Sequence, residues 1–259
     1  MGWKSRAAGM VAIFAIPMAV AAAPGGSFLD DGYFHVMDVL PPAPIKEEPR
    51  GQADREIFKL TRKLKGSDRW TLAVNDIASD TASLLRDFSC AVGINLTPQN
   101  APKTAALLEK ASRDTARETN VVKDFYRRQR PFLIDQGEVC EPVADLAGSF
   151  DYPSGHATRG WTWGLILAEI AHDRASPILT RARAYGESRV VCGAHNASAV
   201  EAGRLSATAT LDVVRTEQAY ADSVIAARAE LSALRKQSAP PSPSACSAEE
   251  ILTEQPIMR

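Results

Sequence analysis

The sequence predicts an all-α fold, a single compact helical domain, and three observations predict it. Apolar residues recur at three- and four-residue spacing over most of residues 54–237, as in helices that bury one face. No run alternates apolar and polar residues for more than a few positions, as a half-buried strand would. The chain has 259 residues and no internal repeat, enough for one good-sized core or two small ones. At 45% hydrophobic and 24% charged it has the composition of an ordinary soluble protein. Its 30 basic and 31 acidic residues leave a formal charge of -1, which argues against nucleic acid as a main partner and confines any positive field to a local patch.

Taken in order, residues 1–23 read as a signal peptide: Lys4 and Arg6 precede the apolar run Ala7–Ala19, and small residues follow at Ala19-Val20-Ala21 and Ala21-Ala22-Ala23. The run is short for a bilayer span and no later stretch is longer, so the expected location is the periplasm, without stable membrane insertion. Residues 24–53 form a Pro-rich leader through Leu40-Pro41-Pro42-Ala43-Pro44, with His35 a surface or packing residue. Asp54 is placed to cap a helix running to about Lys65 and Ser67 to cap the next. A third covers about Thr81–Ala91 and stops at Gly93. A long helix follows from about Asn100 to Arg127, on whose last turns Arg127 and Arg128 need no more than solvation. Residues 132–150 read as a loop able to cover a site mouth. Further helices are expected at about Thr158–Asp173, with His172 as a polar cap, from Pro177 to near Glu187, and over Ser198–Leu234. Residues 238–259 form a Ser/Pro-rich tail, flexible apart from a tether at Cys246. The four cysteines, none in a CxxC pair, suit an oxidising compartment and two disulfides; three pairings exist, of which Cys90–Cys140 with Cys192–Cys246 is favoured.

Three polar clusters interrupt the helical text between Lys123 and His195. Lys123 and Arg130 stand seven residues apart, on one face if the helix persists, although Pro131 limits it and Arg130 just before it can leave helical geometry. Pro153-Ser154-Gly155-His156 precedes a helix: backbone N–H groups there can face a phosphate oxygen, Gly155 allows close approach, and Ser154 can donate its hydroxyl. Ser188-Arg189 is followed by His195. Lys123, Arg130 and Arg189 supply a cationic cradle, His195 is placed to attack phosphorus, and His156 to protonate the leaving oxygen and then activate water. The cations make a metal or other cofactor unnecessary, and the chain has no dense Asp/His ligand set.

These clusters match the signature KxxxxxxRP, PSGH, SRxxxxxHxxxD, and the chain resembles the class A bacterial non-specific acid phosphatases of the phosphatidic acid phosphatase type 2 (PAP2)/vanadium haloperoxidase superfamily over roughly residues 35–235. The resemblance implies an all-α fold and hydrolysis of small phosphomonoesters. It implies phosphate held by Lys123, Arg130, Ser154, Gly155 and Arg189, a phosphohistidine on His195, His156 as the acid, and often a homodimer. One position departs. The signature ends on an aspartate that orients the nucleophilic histidine, and here that position is Ala199. Glu201, which with Ser198 reads as a capping box and so as structural, and Glu187 are candidate substitutes, and a water or a backbone carbonyl is a further way to hold the ring. Reduced activity is therefore expected, the alternatives being a degenerate phosphate-ester or oxyanion binder and, third, a vanadate-dependent haloperoxidase.

Overall fold

The computed structural model describes Met1, residues 26–255 and Ile257; the expected signal peptide otherwise lies outside the described residues. The helices are α1 (Pro49–Thr61), α2 (Asp68–Asn75), α3 (Thr81–Val92), α4 (Pro102–Tyr126), α5 (Val143–Leu146), α6 (Gly155–Ile170), α7 (Ala175–Cys192), α8 (Ala197–Val214), α9 (Gln218–Gln237) and α10 (Pro243–Glu254), and no strand forms among the described residues. None of these helices is long and apolar enough to cross a membrane.

α6 lies at the centre, packed against α4, α7 and α8. A helix surrounded in this way needs apolar or small residues on nearly every side, and Ala157, Trp163, Ile166 and Leu167 are fully buried. The main core joins Leu84 and Phe88 of α3, Leu108 of α4, Trp163 of α6 and Tyr185 of α7. Trp163 donates its indole N–H to Ser112 Oγ at 2.9 Å, so its burial leaves no polar atom unpaired. Toward the N-terminus of α6 the interior changes character. Thr162 donates to Thr115, and Thr119 lies 3.2 Å from Thr158 and 2.9 Å from Ser206. Thr158 donates to the carbonyl of Ser154. This ladder of buried hydroxyls ties α4, α6 and α8 together directly beneath the PSGH turn.

Local signals account for most helix starts. Ser67, Asp80 and Ser154 each accept from backbone N–H groups of the first turn they precede. α1 differs: it starts at Pro49, a residue suited to a first helical position, so Asp54 lies inside the helix and is not its cap. α7 runs past Glu187 to Cys192, because Val190 and Val191 are buried and packing overrides their modest helix propensity. The expected helix Ser198–Leu234 is two helices, broken where Thr216 Oγ1 bonds the Val213 carbonyl in competition with the helical ladder.

The favoured disulfide pairing is corrected: the bonds are Cys90–Cys246 and Cys140–Cys192. Cys140 donates its backbone N–H to the Cys192 carbonyl at 3.0 Å, which brings the 132–150 loop against the end of α7. Cys90 on α3 faces the tail, which is ordered as α10 and packs on α2 and α7. Glu249 of α10 pairs with buried Arg181 at 2.6 Å, a contact that no linear pattern announces.

Two outcomes follow for the bonds. Peptide mapping of the non-reduced protein is expected to yield Cys90–Cys246 and Cys140–Cys192 linkages and no others. Replacing both members of either pair by alanine is expected to cost roughly 2–5 kcal/mol of stability. Only the Cys140/Cys192 pair is expected to change phosphate affinity as well, because it anchors the loop that carries Glu141.

Candidate active site

The three clusters converge although they come from different elements. Lys123 lies on the last turn of α4, which ends when Arg127 takes a left-handed conformation at φ 46°. Arg130 is therefore not on the helix. It is extended before Pro131, as a residue preceding proline prefers, and reaches the site from the loop. Ser154 caps α6, with its backbone N–H on the Ala199 carbonyl at 2.9 Å. Gly155 opens the helix, and a Cβ there would stand 3.7 Å from Lys123 Cε, inside the space the cations enclose. α7 carries Arg189 and ends at Gly193, whose φ of +79° an L side chain rarely adopts; the chain turns there and returns His195 toward Arg189.

All three cations are buried, and Lys123 and Arg130 are held mainly by carbonyl oxygens. Lys123 Nζ donates to the Phe150 carbonyl at 2.5 Å. Arg130 donates to the carbonyls of Ser149 at 2.9 Å and Ala194 at 2.7 Å. Arg189 pairs with Glu141, while its Nε and Nη1 are buried with no hydrogen-bond partner. Burial and the adjacent Arg130 pull the Lys123 ammonium down to about 8. Arg130 is likewise lowered by burial.

The imidazoles are set apart by their partners. His195 Nδ1 lies 2.7 Å from the Asp151 carbonyl and 3.1 Å from Asp151 Oδ1. Its Nε2 lies 3.1 Å from Arg130 Nη1. A guanidinium only donates, so Nε2 accepts and Nδ1 carries the proton. His156 stacks on Tyr185, ring centroids 4.8 Å apart, and its Nε2 donates to the Asp76 carbonyl at 2.6 Å, leaving Nδ1 as its free nitrogen. Both rings are held well below the usual imidazole range, first by burial and then by positive neighbours: Arg189 for His156, and Arg130, Lys123 and Arg189 for His195. Burial thus favours the neutral form of both rings.

The proposed substitutes for the carboxylate at position 199 stand elsewhere. Glu201 is exposed, and Ser198 bonds Asp54 in place of a capping box. Glu187 is engaged by Arg183 at 2.7 Å. Ala199 itself is buried among Val36, Leu40, Val122 and Tyr152. His35 is exposed in the leader, outside the site.

Sequence reasoning missed several participants. Arg128 is not merely solvated: it bridges Asp54 at 2.7 Å and Asp151 at 3.2 Å. Asp76 holds His156 through its carbonyl while its carboxylate takes Arg181 and Ser188. Asp151, two residues before Pro153, had the only local signal: an acid beside a motif that sits in a buried cationic site.

Comparison with known proteins agrees with this geometry. The PAP2 superfamily matches residues 105–220. An acid phosphatase of Zymomonas mobilis is 36% identical over 82% of this chain and 81% of its own length. Non-specific acid phosphatases of Salmonella typhimurium and Providencia stuartii are 33% and 29% identical over 74% and 76% of this chain, covering 78% and 81% of their own lengths. With the helical fold and the three converging clusters, these relationships show that the chain belongs to the PAP2 superfamily, in its bacterial acid phosphatase branch.

Proposed function

We propose that this phosphomonoester hydrolase works through a phosphohistidine on His195, in an exported, periplasmic protein. The observation that carries the reading is the pair of unpartnered, buried nitrogens on Arg189 beside a neutral histidine whose proton is on the far nitrogen. Buried donors are rarely left unpaired, and a bound oxyanion would satisfy them. Lys123, Arg130, Arg189, the Ser154 hydroxyl and the N-terminus of α6 at Gly155 would surround the phosphoryl oxygens and stabilise the charge that spreads over them in transfer.

The steps then follow from the tautomers. The lone pair of His195 Nε2 attacks phosphorus as the ester P–O bond breaks, and the proton on His156 Nδ1 passes to the leaving oxygen. His156, neutral again, takes a proton from water. That water attacks phosphorus, the P–N bond breaks, and the electron pair returns to Nε2. His156 must be charged to begin, although burial favours its neutral form. The phosphate charge offsets Arg189, and a substrate bound as its monoanion brings the proton with it. Because phosphomonoesters lose their second proton near pH 6, the reaction belongs in the acid range. His195, with its depressed pKa, remains an unprotonated nucleophile there.

Export is supported by the N-terminal sequence and by two disulfides, which persist in oxidising compartments. Turnover is favoured over mere phosphate binding because His195 has acceptors for Nδ1 despite Ala199.

Quenching the enzyme with 32P-labelled substrate in alkaline detergent is expected to trap an alkali-stable, acid-labile phosphoenzyme that His195→Ala lacks, with kcat reduced by at least about 10³. A wild type that hydrolyses without any labelled protein would exclude the histidine nucleophile. Lys123 sets a second outcome. Since its ammonium titrates near 8, the cradle loses a charge as pH rises through that value. Competitive inhibition by inorganic phosphate is expected to weaken several-fold between pH 7 and 9, and Lys123→Arg, whose charge does not titrate there, to flatten that dependence. Stability supplies a third. Both rings are depressed in the folded state, so the unfolded chain binds more protons in acid. Their contribution is complete above about pH 6.5 and is lost as pH falls below it. Thermal melts should therefore show Tm dropping across that window, and dropping less with saturating phosphate, which binds only the folded state.

A further inference from the structure

We infer that Asp151 is the positioning residue of His195, its main-chain carbonyl and its carboxylate together holding the imidazole with Nε2 toward the phosphate site. The inference rests on His195 being the nucleophile. Its geometry involves one residue accepting twice: the carbonyl at 2.7 Å and Oδ1 at 3.1 Å from the same Nδ1. The other ring nitrogen meets a guanidinium, so the ring has one tautomer in which both ends are satisfied.

The carboxylate is itself immobilised. Oδ1 accepts the Asn196 backbone N–H at 3.0 Å, and Oδ2 accepts the Asn196 side-chain amide at 2.9 Å. Arg128 Nη1 lies 3.2 Å from Oδ2 and is held in turn by Asp54, at 2.7 Å, and by Ser198 Oγ, at 2.8 Å. Asn196 is the N-cap residue of α8, so the charge of Asp151 also faces the positive end of that helix. Burial pushes the Asp151 carboxyl up, while Arg128 and Asn196 oppose the shift. Asp151 is fully buried and has no route to solvent, so its donors leave it one remaining task, the histidine.

No other acid among the described residues bonds Nδ1 of His195. Glu187 is paired with Arg183, Glu201 is exposed, and the Ala199 carbonyl already accepts from Ser154. The carbonyl and the carboxylate of Asp151 divide the work. The carbonyl alone suffices to select the Nδ1–H tautomer. The carboxylate adds what a carbonyl lacks, a full negative charge opposite the imidazolium that forms when Nε2 bonds to phosphorus. The proton stays on Nδ1 throughout.

Asp151→Asn separates the two, keeping the carbonyl and the shape while removing the charge. Rapid quench into alkaline detergent with 32P-labelled substrate is expected to show phosphorylation of His195 slowed by roughly ten- to a hundredfold, with the affinity for inorganic phosphate within about threefold of wild type. Phosphorylation at the wild-type rate would overturn the inference and leave the nucleophile standing. A wild type that forms no phosphoenzyme would overturn the nucleophile and this inference with it. Should the variant not fold, 15N NMR of the ring nitrogens in the unaltered protein decides: Nδ1–H with an unprotonated Nε2 at pH 5–6 is expected, and an Nε2–H tautomer for His195 overturns the assignment.

Discussion

Everything at the functional end of this molecule depends on burying Lys123, Arg130 and Arg189 around one point. Three cations in a low-dielectric interior repel one another, and each also loses its hydration. The fold offsets this chiefly with carbonyls, those of Ser149, Phe150 and Ala194, which accept hydrogen bonds without cancelling the positive field. Among the described residues, Glu141 is the one carboxylate in direct contact with a cradle cation. Burial, reinforced by the remaining excess of positive charge, favours the neutral forms of His156 and His195 and draws the Lys123 ammonium down to about 8. In the proposed mechanism an entering phosphate would offset the repulsion among the cations, which would link affinity to proton uptake.

The same excess explains why the surrounding structure is so polar. A purely apolar interior against α6 would leave the PSGH turn without partners for its carbonyls. The hydroxyl ladder from Thr115 to Ser206 gives the turn a fixed floor, and Thr158 binds the Ser154 carbonyl directly. Above it, Asp54, Arg128, Asp151 and Asn196 form an alternating charged and polar chain that runs from α1 to the first turn of α8. α1, remote in sequence from every motif, is thereby part of the site's support.

The sequence made legible those features whose causes are local. Ser67 as a cap, Gly93 as a helix stop and the apolar stripes of α3 and α4 each follow from a few neighbouring residues, and the motif spacing singled out the cations and both histidines that the fold brings together. What stayed hidden depends on residues far apart in the chain. The acceptor for His195 lies 44 residues before it. Cys90 finds Cys246 across 156 residues, through a tail whose composition resembles a linker. Asp54 reads as a helix cap and Asp76 carries no local signal, because nothing in their own neighbourhood records that Ser198 and His156 will be brought to them.

Ala199 shows how a missing side chain is to be judged. A local comparison registers only the loss of a carboxylate. Physically, a nucleophilic imidazole requires an acceptor at Nδ1 and a negative charge near the cation it becomes, and neither requirement names a position. Asp151 meets both from the other side of the ring, and Asn196 binds that carboxylate with its backbone and its amide. With the requirement met there, position 199 is free to be small and apolar, and it packs against Val122 and Tyr152. A carboxylate added at 199 would have to be desolvated among those side chains, at a cost that its attraction to an already satisfied histidine does not offset. The alanine therefore belongs to the same arrangement as Asp151 and Asn196.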